Sequence, residues 1–400
     1  MRLDRVEVRA FRSYAVASLE LAPGLTVLVG PNGSGKTNLL EAIGYLATLS
    51  SFRGAPTDAL MRAVSDTDVA LPEVGGATST VVRGFGVIGD RPMEIETEIA
   101  VGRRNRTLIN KQPMSRIRDV GDGLQVSVFS PDDLVLVKGG PAERRRYLDE
   151  IACRIHPRNE ALVTECERVL RQRNALLKQC AGRLDSTATL TLDVWDAKLS
   201  SVGDRMSTLR HDLVNRLEPI VAQAYADIAD RPAPITMTVR SSWNGSLADA
   251  LAAGRSDDVR RGTSLIGPHR DDVEACIEHR PSRTHASQGE QRTLSLAFRL
   301  AGHRLVAGEI GRTPLLLLDD VFSELDPVRS NALIRHLPPG QSLLATAGHL
   351  PPAARAEATF HVRRLDHQGS VVSVDKPGET VDSKRAEDRD GKEGDTWPSR

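Results

Sequence analysis

Eight consecutive residues, Gly30-Pro31-Asn32-Gly33-Ser34-Gly35-Lys36-Thr37, have the types and order needed to hold a polyphosphate. They match the pattern G-x-x-x-x-G-K-[ST] in full. Glycines let successive backbone N–H groups turn inward around a β-phosphate, where side chains would collide. The helix that follows adds the partial positive charge of its N-terminus. Lys36 is expected to bridge the β- and γ-phosphates as a catalytic cation, and the Thr37 hydroxyl to ligate Mg²⁺. A chance Gly-rich turn is the competing reading. Context argues against it, because the apolar run Leu25 to Val29 precedes the loop and a helical stripe, Leu39, Ile43 and Leu46, follows it.

A second set of candidates lies far along the chain. Leu315-Leu316-Leu317-Leu318-Asp319-Asp320 reads as a buried strand that ends in two carboxylates. Asp319 is expected to hold Mg²⁺, and Asp320, pointing the other way, to orient or deprotonate an attacking water. Without the Gly-rich loop, a strand with a solubilising acidic end would be the commoner reading. Ser287-Gln288-Gly289-Glu290-Gln291-Arg292 opens a helix whose apolar face is Leu294, Ala297, Phe298 and Ala301. A Ser and a Gly at a helix start, Ser287 and Gly289, form a second anion-binding surface.

Sheet must position these groups at both ends of the chain. Val6 and Val8 alternate with charged residues, Leu19 and Leu21 repeat the pattern, and Met93, Ile95, Thr97, Ile99 and Val101 alternate as a half-buried strand. Residues 67–80 read as a Gly- and Thr-rich loop. From about Asp149 the period becomes helical. A rough stripe over Val163 to Leu177 is followed by a clear one running Leu192, Trp195, Leu199, Val202, Met206, Leu209, Leu213, Leu217 and Ile220. Joined through Ala181 to Thr189, the two predict a helical hairpin whose longer arm of about 28 residues spans roughly 42 Å. Strand returns at Val273, Ala275 and Ile277. The last stretch, 375–400, is almost all charged or small and is expected to be a disordered tail. The expected organisation is an ATPase head at 1–148, a helical lobe at 149–262, the second part of the head at 263–374, and that tail.

Composition sets the outer limits. The 40% apolar and 26% charged residues are those of a soluble globular chain. The apolar run at Leu315 is too short to cross a bilayer, and the charged start lacks the apolar core of a signal peptide. No membrane association and a cytoplasmic location are expected. Four widely spaced cysteines, Cys153, Cys166, Cys180 and Cys276, point to reduced, mostly buried thiols. A formal net charge of zero gives no argument for nucleic acid, so DNA affinity would have to come from local clusters.

The order of the motifs resembles that of ABC-type ATPases. Ser287 to Arg292 is similar to their signature motif, which meets the γ-phosphate bound to the opposite subunit, and Ser323-Glu324-Leu325-Asp326 to their D-loop. The helical lobe between the loop and the acidic pair resembles the arrangement of RecF and the SMC proteins. Its shortness, with the runs Phe11-Arg12-Ser13-Tyr14, Gly30 to Asn38 with Glu41, Phe129 to Leu134, Glu143 to Asp149, Leu170 to Asn174 and Gly267-Pro268-His269-Arg270-Asp271-Asp272, is similar to the RecF family. The double Asp at 319–320 is also similar, since other ABC ATPases usually place Glu second.

That resemblance implies an α/β ABC-type P-loop ATPase head with an inserted α-helical lobe. It also implies an ATP-dependent homodimer on single-strand gaps or duplex junctions of DNA. With RecR-type and RecO-type partners, such a protein helps load the RecA recombinase, turns ATP over slowly, and is linked to fork repair and SOS induction. Pro31, Asn32, Ser34 and Asn38 belong with the glycines in the nucleotide-binding loop. Arg12 resembles an arginine that approaches the nucleotide, with a surface charge on an edge strand as the alternative. An ABC transport subunit and an ATP-binding scaffold without meaningful hydrolysis are the rival functions.

Two family positions are not matched cleanly. Gln125 lies near the place of the usual Q-loop glutamine. At the switch position the chain carries Thr346, with His349 three residues late. His269, His285 and His349 read as surface or satisfied core residues rather than catalysts. Arg103-Arg104-Asn105-Arg106 and Arg144-Arg145-Arg146 are candidate phosphate contacts for DNA, against the commoner reading of a solvated charged face.

Overall fold

A computed structural model describes residues 1–62, 79–100, 102–114, 123–229, 231–348, 350–365 and 369–374. The expected tail at 375–400, His349 and most of the expected loop at 67–80 lie outside the described residues. Ser79 and Thr80, placed in that loop by composition, open a strand instead.

The strands are β1 (Arg2–Phe11), β2 (Tyr14–Glu20), β3 (Leu25–Val29), β4 (Ser79–Ile88), β5 (Arg91–Ala100), β6 (Arg106–Ile109), β7 (Gln112–Pro113) and β8 (Val126–Phe129). They continue with β9 (Ile235–Arg240), β10 (Asp272–Ile277), β11 (Arg280–Pro281), β12 (Leu315–Asp319), β13 (Ser342–Thr346), β14 (Ala358–Leu365) and β15 (Gly369–Val374). The main helices are α1 (Lys36–Thr48), α2 (Pro141–Ile155), α3 (Pro157–Gln179), α4 (Ser186–Ile228), α5 (Leu247–Arg261), α6 (Gln288–Ile310) and α7 (Pro327–Arg335).

One large sheet carries the order β7-β6-β5-β4-β1-β2-β15-β14-β3-β13-β12-β8 among the described residues. Its β14-β3-β13-β12-β8 section is parallel, and the rest is antiparallel. Because side chains alternate along a strand, each central strand feeds two cores. Leu315, Leu317, Leu28 and Leu343 join α1 and β1, β2, β4 and β5 on one face. Leu316, Leu318, Val27 and Leu344 join α2, α6 and the end of α4 on the other. The run of leucines in β12 is therefore apolar on both faces, as buried parallel strands are. A second, antiparallel sheet, β11-β10-β9, adds Val273, Ala275 and Ile277 to that second core. The alternation over 273–277 identified β10, but not its separate sheet.

The expected helical hairpin is α3 and α4, and α4 is longer than its apolar stripe. It runs 43 residues, roughly 64 Å, and passes through Pro219 to Ile228. A proline inside a helix costs about 3 kcal/mol. The stretch Leu213 to Ile228 recovers this by packing on Leu294 to Val306 of α6. Its other end, at Leu199, Val202 and Met206, forms a smaller core with Leu162, Cys166 and Val169 of α3 and Leu247 and Leu251 of α5. Its start, at Leu192, joins a third small cluster with Leu177 and Val259, so one helix belongs to three cores.

The smaller core is pinned by a fully buried arginine. Arg173 donates to Asp196 at 2.7 Å, Asp258 at 2.7 Å and Ser264 at 2.7 Å, tying α3, α4 and α5 together. Removing it would leave the buried Asp258 without its cation, a cost of about 3–5 kcal/mol, while Asp196 would keep Arg255. The cysteines are all free, and only Cys166 is buried, the other three being half-buried.

Candidate functional site

The loop 30–35 joins β3 to α1, with Gly35 as the N-cap of the helix at φ 113°. Glycine is required here twice over. A Cβ on Gly35 would lie 2.4 Å from Ser370 Oγ, and one on Gly30 would lie 2.1 Å from the Val362 carbonyl oxygen of β14. Lys36 is buried and donates from Nζ to the carbonyls of Gly30 at 2.7 Å and Pro31 at 2.9 Å. Burial pushes its ammonium pKa down, and the charges of Asp320 and Asp319 push it back up.

β12 delivers the acidic pair. Asp319 continues the Leu315, Leu317 face, which packs on α1, so its carboxylate meets the first turn of that helix. Thr37 Oγ1 donates to Asp319 Oδ1 at 2.8 Å. Burial raises the Asp319 pKa; Thr37, Arg53 and Lys36 act against this, and Asp320 adds to it. Asp320 lies past the strand end with φ 47°, a left-handed conformation that Asp tolerates better than most residues. It lines a cleft with Ser130, Arg292, Ser295 and Glu324. Two carboxylates adjacent in sequence are thereby separated into two environments.

α6 begins with a capping box. Ser287 Oγ accepts from the Glu290 N–H, and Glu290 Oε2 accepts from the Ser287 N–H at 2.7 Å. Ser287 is exposed; Gly289, half-buried, packs against Arg329 of α7, whose Nη1 would lie 2.6 Å from an added Cβ. Arg292 pairs with Glu324 at 3.0 Å, tying this helix to the segment after β12. Among the described residues, the hydrogen bonds of Ser287 run to Glu290 and Gln291 and none to the loop 30–37.

Arg12 sits in the turn between β1 and β2, at φ 52°, and not on an edge strand. Its guanidinium forks onto Glu41 with 2.9 and 2.8 Å bonds and donates to the Ala59 carbonyl at 2.7 Å. Glu41 is fully buried one helical turn beyond Thr37 on α1 and also accepts from Ser51 at 2.5 Å. Arg53 approaches the same carboxylate at 3.9 Å. Composition gave no reason to single out Arg53, because its relevance rests on the loop after α1 folding back toward Asp319. Asn38 donates to Ser13 Oγ at 2.9 Å, another link between the β1–β2 turn and the loop.

The remaining candidates separate. Gln125 lies just before β8, where its carbonyl accepts from the Leu315 N–H at 2.9 Å. Thr346 is buried behind the loop, and its carbonyl accepts from the Gly30 N–H at 3.3 Å. His269 Nε2 lies 2.9 Å from the Ser264 carbonyl, and burial lowers its pKa to about 4. His285 is exposed beside Thr284.

Of the two arginine clusters, the second is largely spent inside the protein. Arg144 forks onto Asp272 at 2.7 and 3.0 Å, and Arg145 donates to the Asp271 carbonyl at 2.6 Å. Arg210 of α4 completes the lock on Asp149 and on the Pro268 carbonyl. The runs 143–149 and 267–272 are thus two halves of one structural joint. Arg146 alone of its cluster is well exposed, beside Glu143 and Glu150. Arg103, Arg104 and Arg106 are exposed, and Arg103 pairs with Glu98 at 2.7 Å.

A parallel core with a P-loop on β3, an acidic pair on β12 one strand removed, and a serine-capped α6 define an ABC-type P-loop ATPase head. The RecF/RecN/SMC N terminal domain model matches residues 2–342. The chain is 41% identical over 365 residues to the DNA replication and repair protein RecF of Frankia alni, spanning 87% of this chain and 93% of that one. A solved structure of the recombination mediator protein RecF with ATP, in the RecFOR pathway, superposes with a TM-score of 0.80 at 25% identity, covering 94% of this chain and 97% of that one. An Smc head bound to the C-winged helix domain of ScpA shares the fold alone, with a TM-score of 0.55 at 17% identity over 94% and 98% of the two chains. The chain belongs to the RecF/RecN/SMC N-terminal domain family and, within it, to the RecF proteins.

Proposed function

We propose that the chain is an ATP-gated DNA clamp for recombinational repair of gaps and stalled forks, acting in the cytoplasm. The observation that carries this is the Thr37–Asp319 contact, which sets two hard oxygen donors side by side, one residue from Lys36. Those donors suit Mg²⁺, and the ion would neutralise charge on the phosphate oxygens. The backbone N–H groups of 33–37 hold the phosphates of ATP, Lys36 bridges them, and Asp320 orients the attacking water. Arg12 and Arg53, gathered around Glu41, add positive charge beside this corner.

Two copies close on ATP, with Ser287 and Gly289 of one facing the P-loop of the other. Closure holds DNA at single-strand gaps or duplex junctions, and RecR-type and RecO-type partners join in loading the RecA recombinase. Slow hydrolysis then resets the clamp. The reading draws support from the relative's role in replication and repair and from the ATP-bound RecF structure. The head comprises 1–148 and 263–374 and the lobe 149–262; the separate core of Leu162, Leu199 and Leu247 supports a lobe, while Leu213 to Val239 pack in the head's core. Among the described residues no helix is long and apolar enough to cross a membrane.

Fluorescence anisotropy with gapped DNA tests the proposal. Tight binding with Mg-ATP that weakens at least tenfold without nucleotide is the expected result. Binding indifferent to nucleotide would overturn the gating.

A further inference from the structure

The C-terminal hairpin, β14 and β15, touches the P-loop at two places, and neither was visible in the motif. Val362 of β14 stands where a Gly30 side chain would be, and Ser370 of β15 stands where a Gly35 side chain would be. Ser370 is buried, and its Oγ lies 2.5 Å from the Ser34 carbonyl oxygen and 2.7 Å from Ser13 Oγ. A carbonyl only accepts, so the single Ser370 proton goes to Ser34, and Ser13 supplies the proton of the other bond. Ser13 in turn accepts from Asn38 Nδ2.

The Ser34 carbonyl and the Gly35 N–H belong to one planar trans peptide, so they point in opposite directions. Whatever holds the carbonyl from behind aims the N–H forward. We propose that Ser370 is a positioning residue of the nucleotide site, which orients the Gly35 N–H toward the phosphate by holding the Ser34 carbonyl. The C-terminal hairpin is then part of the phosphate cradle. This rests on the nucleotide reading above and adds a residue to it.

The neighbouring peptide offers a comparison, although its tyrosine also hydrogen-bonds Ser370. Tyr14 OH donates to the Gly35 carbonyl at 3.1 Å, and burial raises the phenol's pKa, keeping it a donor. That carbonyl also accepts from the N–H groups of Asn38 at 3.0 Å and Leu39 at 3.3 Å. The orientation of the Lys36 N–H is therefore set redundantly by the helix. Among the described residues, the donor on the Ser34 carbonyl is Ser370.

Ser370→Ala and Tyr14→Phe each delete one buried hydroxyl beside the loop. Calorimetric titration with Mg-ATP and with tripolyphosphate, well below the melting temperature, reads the affinity of folded molecules. Ser370→Ala is expected to weaken both ligands about tenfold, and Tyr14→Phe by no more than about twofold. Equal affinities in wild type and Ser370→Ala would overturn the proposal. So would a larger loss in Tyr14→Phe than in Ser370→Ala, which would make the tyrosine the positioning group. A wild-type protein that binds neither ligand would overturn the nucleotide reading itself, and the proposal with it.

Discussion

Thr37 and Asp319, on α1 and β12, meet through a 2.8 Å hydrogen bond, with β13 lying between β12 and the strand that leads into α1. The contact closes the candidate metal corner around a buried carboxylate that also feels the charge of Asp320.

That burial has a measurable sign. The folded Asp319 pKa is raised, so the fold favours its neutral form. By itself the group opposes folding above the ordinary carboxylate range and ceases to do so as pH falls below it. Asp319→Asn is therefore expected to raise the melting temperature of nucleotide-free protein at pH 7, by about 1 °C per 1 kcal/mol relieved in a chain of 400 residues. The same change should abolish the Mg²⁺-dependent part of ATP binding. Calorimetry with and without Mg²⁺ reads both, and an unchanged metal dependence would count against Asp319 as a ligand.

Asp320 tests the division of labour within the pair. Asparagine tolerates the left-handed backbone at this position as aspartate does, so Asp320→Asn removes the charge and keeps the turn. ATP affinity should stay within about threefold, while hydrolysis falls by about 10² or more, the usual loss when a general base is removed. Turnover close to wild type in a single-turnover assay would remove Asp320 from the chemistry.

His303 predicts acid sensitivity remote from the site. It is buried in α6 with neither ring nitrogen hydrogen-bonded among the described residues, and burial, with Arg154 and Arg304 adding to it, lowers its pKa to about 3. The unfolded ring takes a proton near pH 6.5 and the folded ring does not. Its contribution is therefore fully present above about pH 6.5 and is lost as pH falls toward 3. The slope is about 1.4 kcal/mol per pH unit while this ring alone titrates. His303→Leu should flatten the fall in urea midpoint between about pH 6.5 and 4.5; an unchanged slope would assign the sensitivity to other groups.

Local structure was legible in the sequence wherever a few adjacent residues carry it. The Gly30 to Thr37 loop, the leucine strand ending at Asp319 and the Ser287 cap each need only their own segment. What tertiary closure decides was not legible. Ser370 and Arg53 acquire neighbours only when the hairpin and the loop after α1 fold back. Arg144 reads as a surface charge until Asp272, brought in from the far side of the lobe, takes it inside. The stripe in α4 marked the helix as far as Ile220, but its last turns, to Ile228, are held by α6.

The fate of Arg144 and Arg145 leaves the cluster between β5 and β6 as the stronger candidate for DNA. Replacing Arg103, Arg104 and Arg106 together with Ala is expected to lower DNA affinity and reduce the salt slope by about one unit for each phosphate no longer neutralised. The melting temperature should hardly move, because all three are exposed. DNA binding with an unaltered salt dependence would place the phosphate-binding surface elsewhere.

The central claim is that ATP joins two copies through the cap of α6. Analytical ultracentrifugation of wild type and Ser287→Arg, with Mg-ATP and with or without gapped DNA, tests it most directly. The predicted result is wild-type dimers that form only with ATP and bind the gapped DNA, and a variant that still binds ATP but stays monomeric. A wild type that remains monomeric with saturating ATP and DNA, or a variant that dimerises as well as wild type, would contradict it.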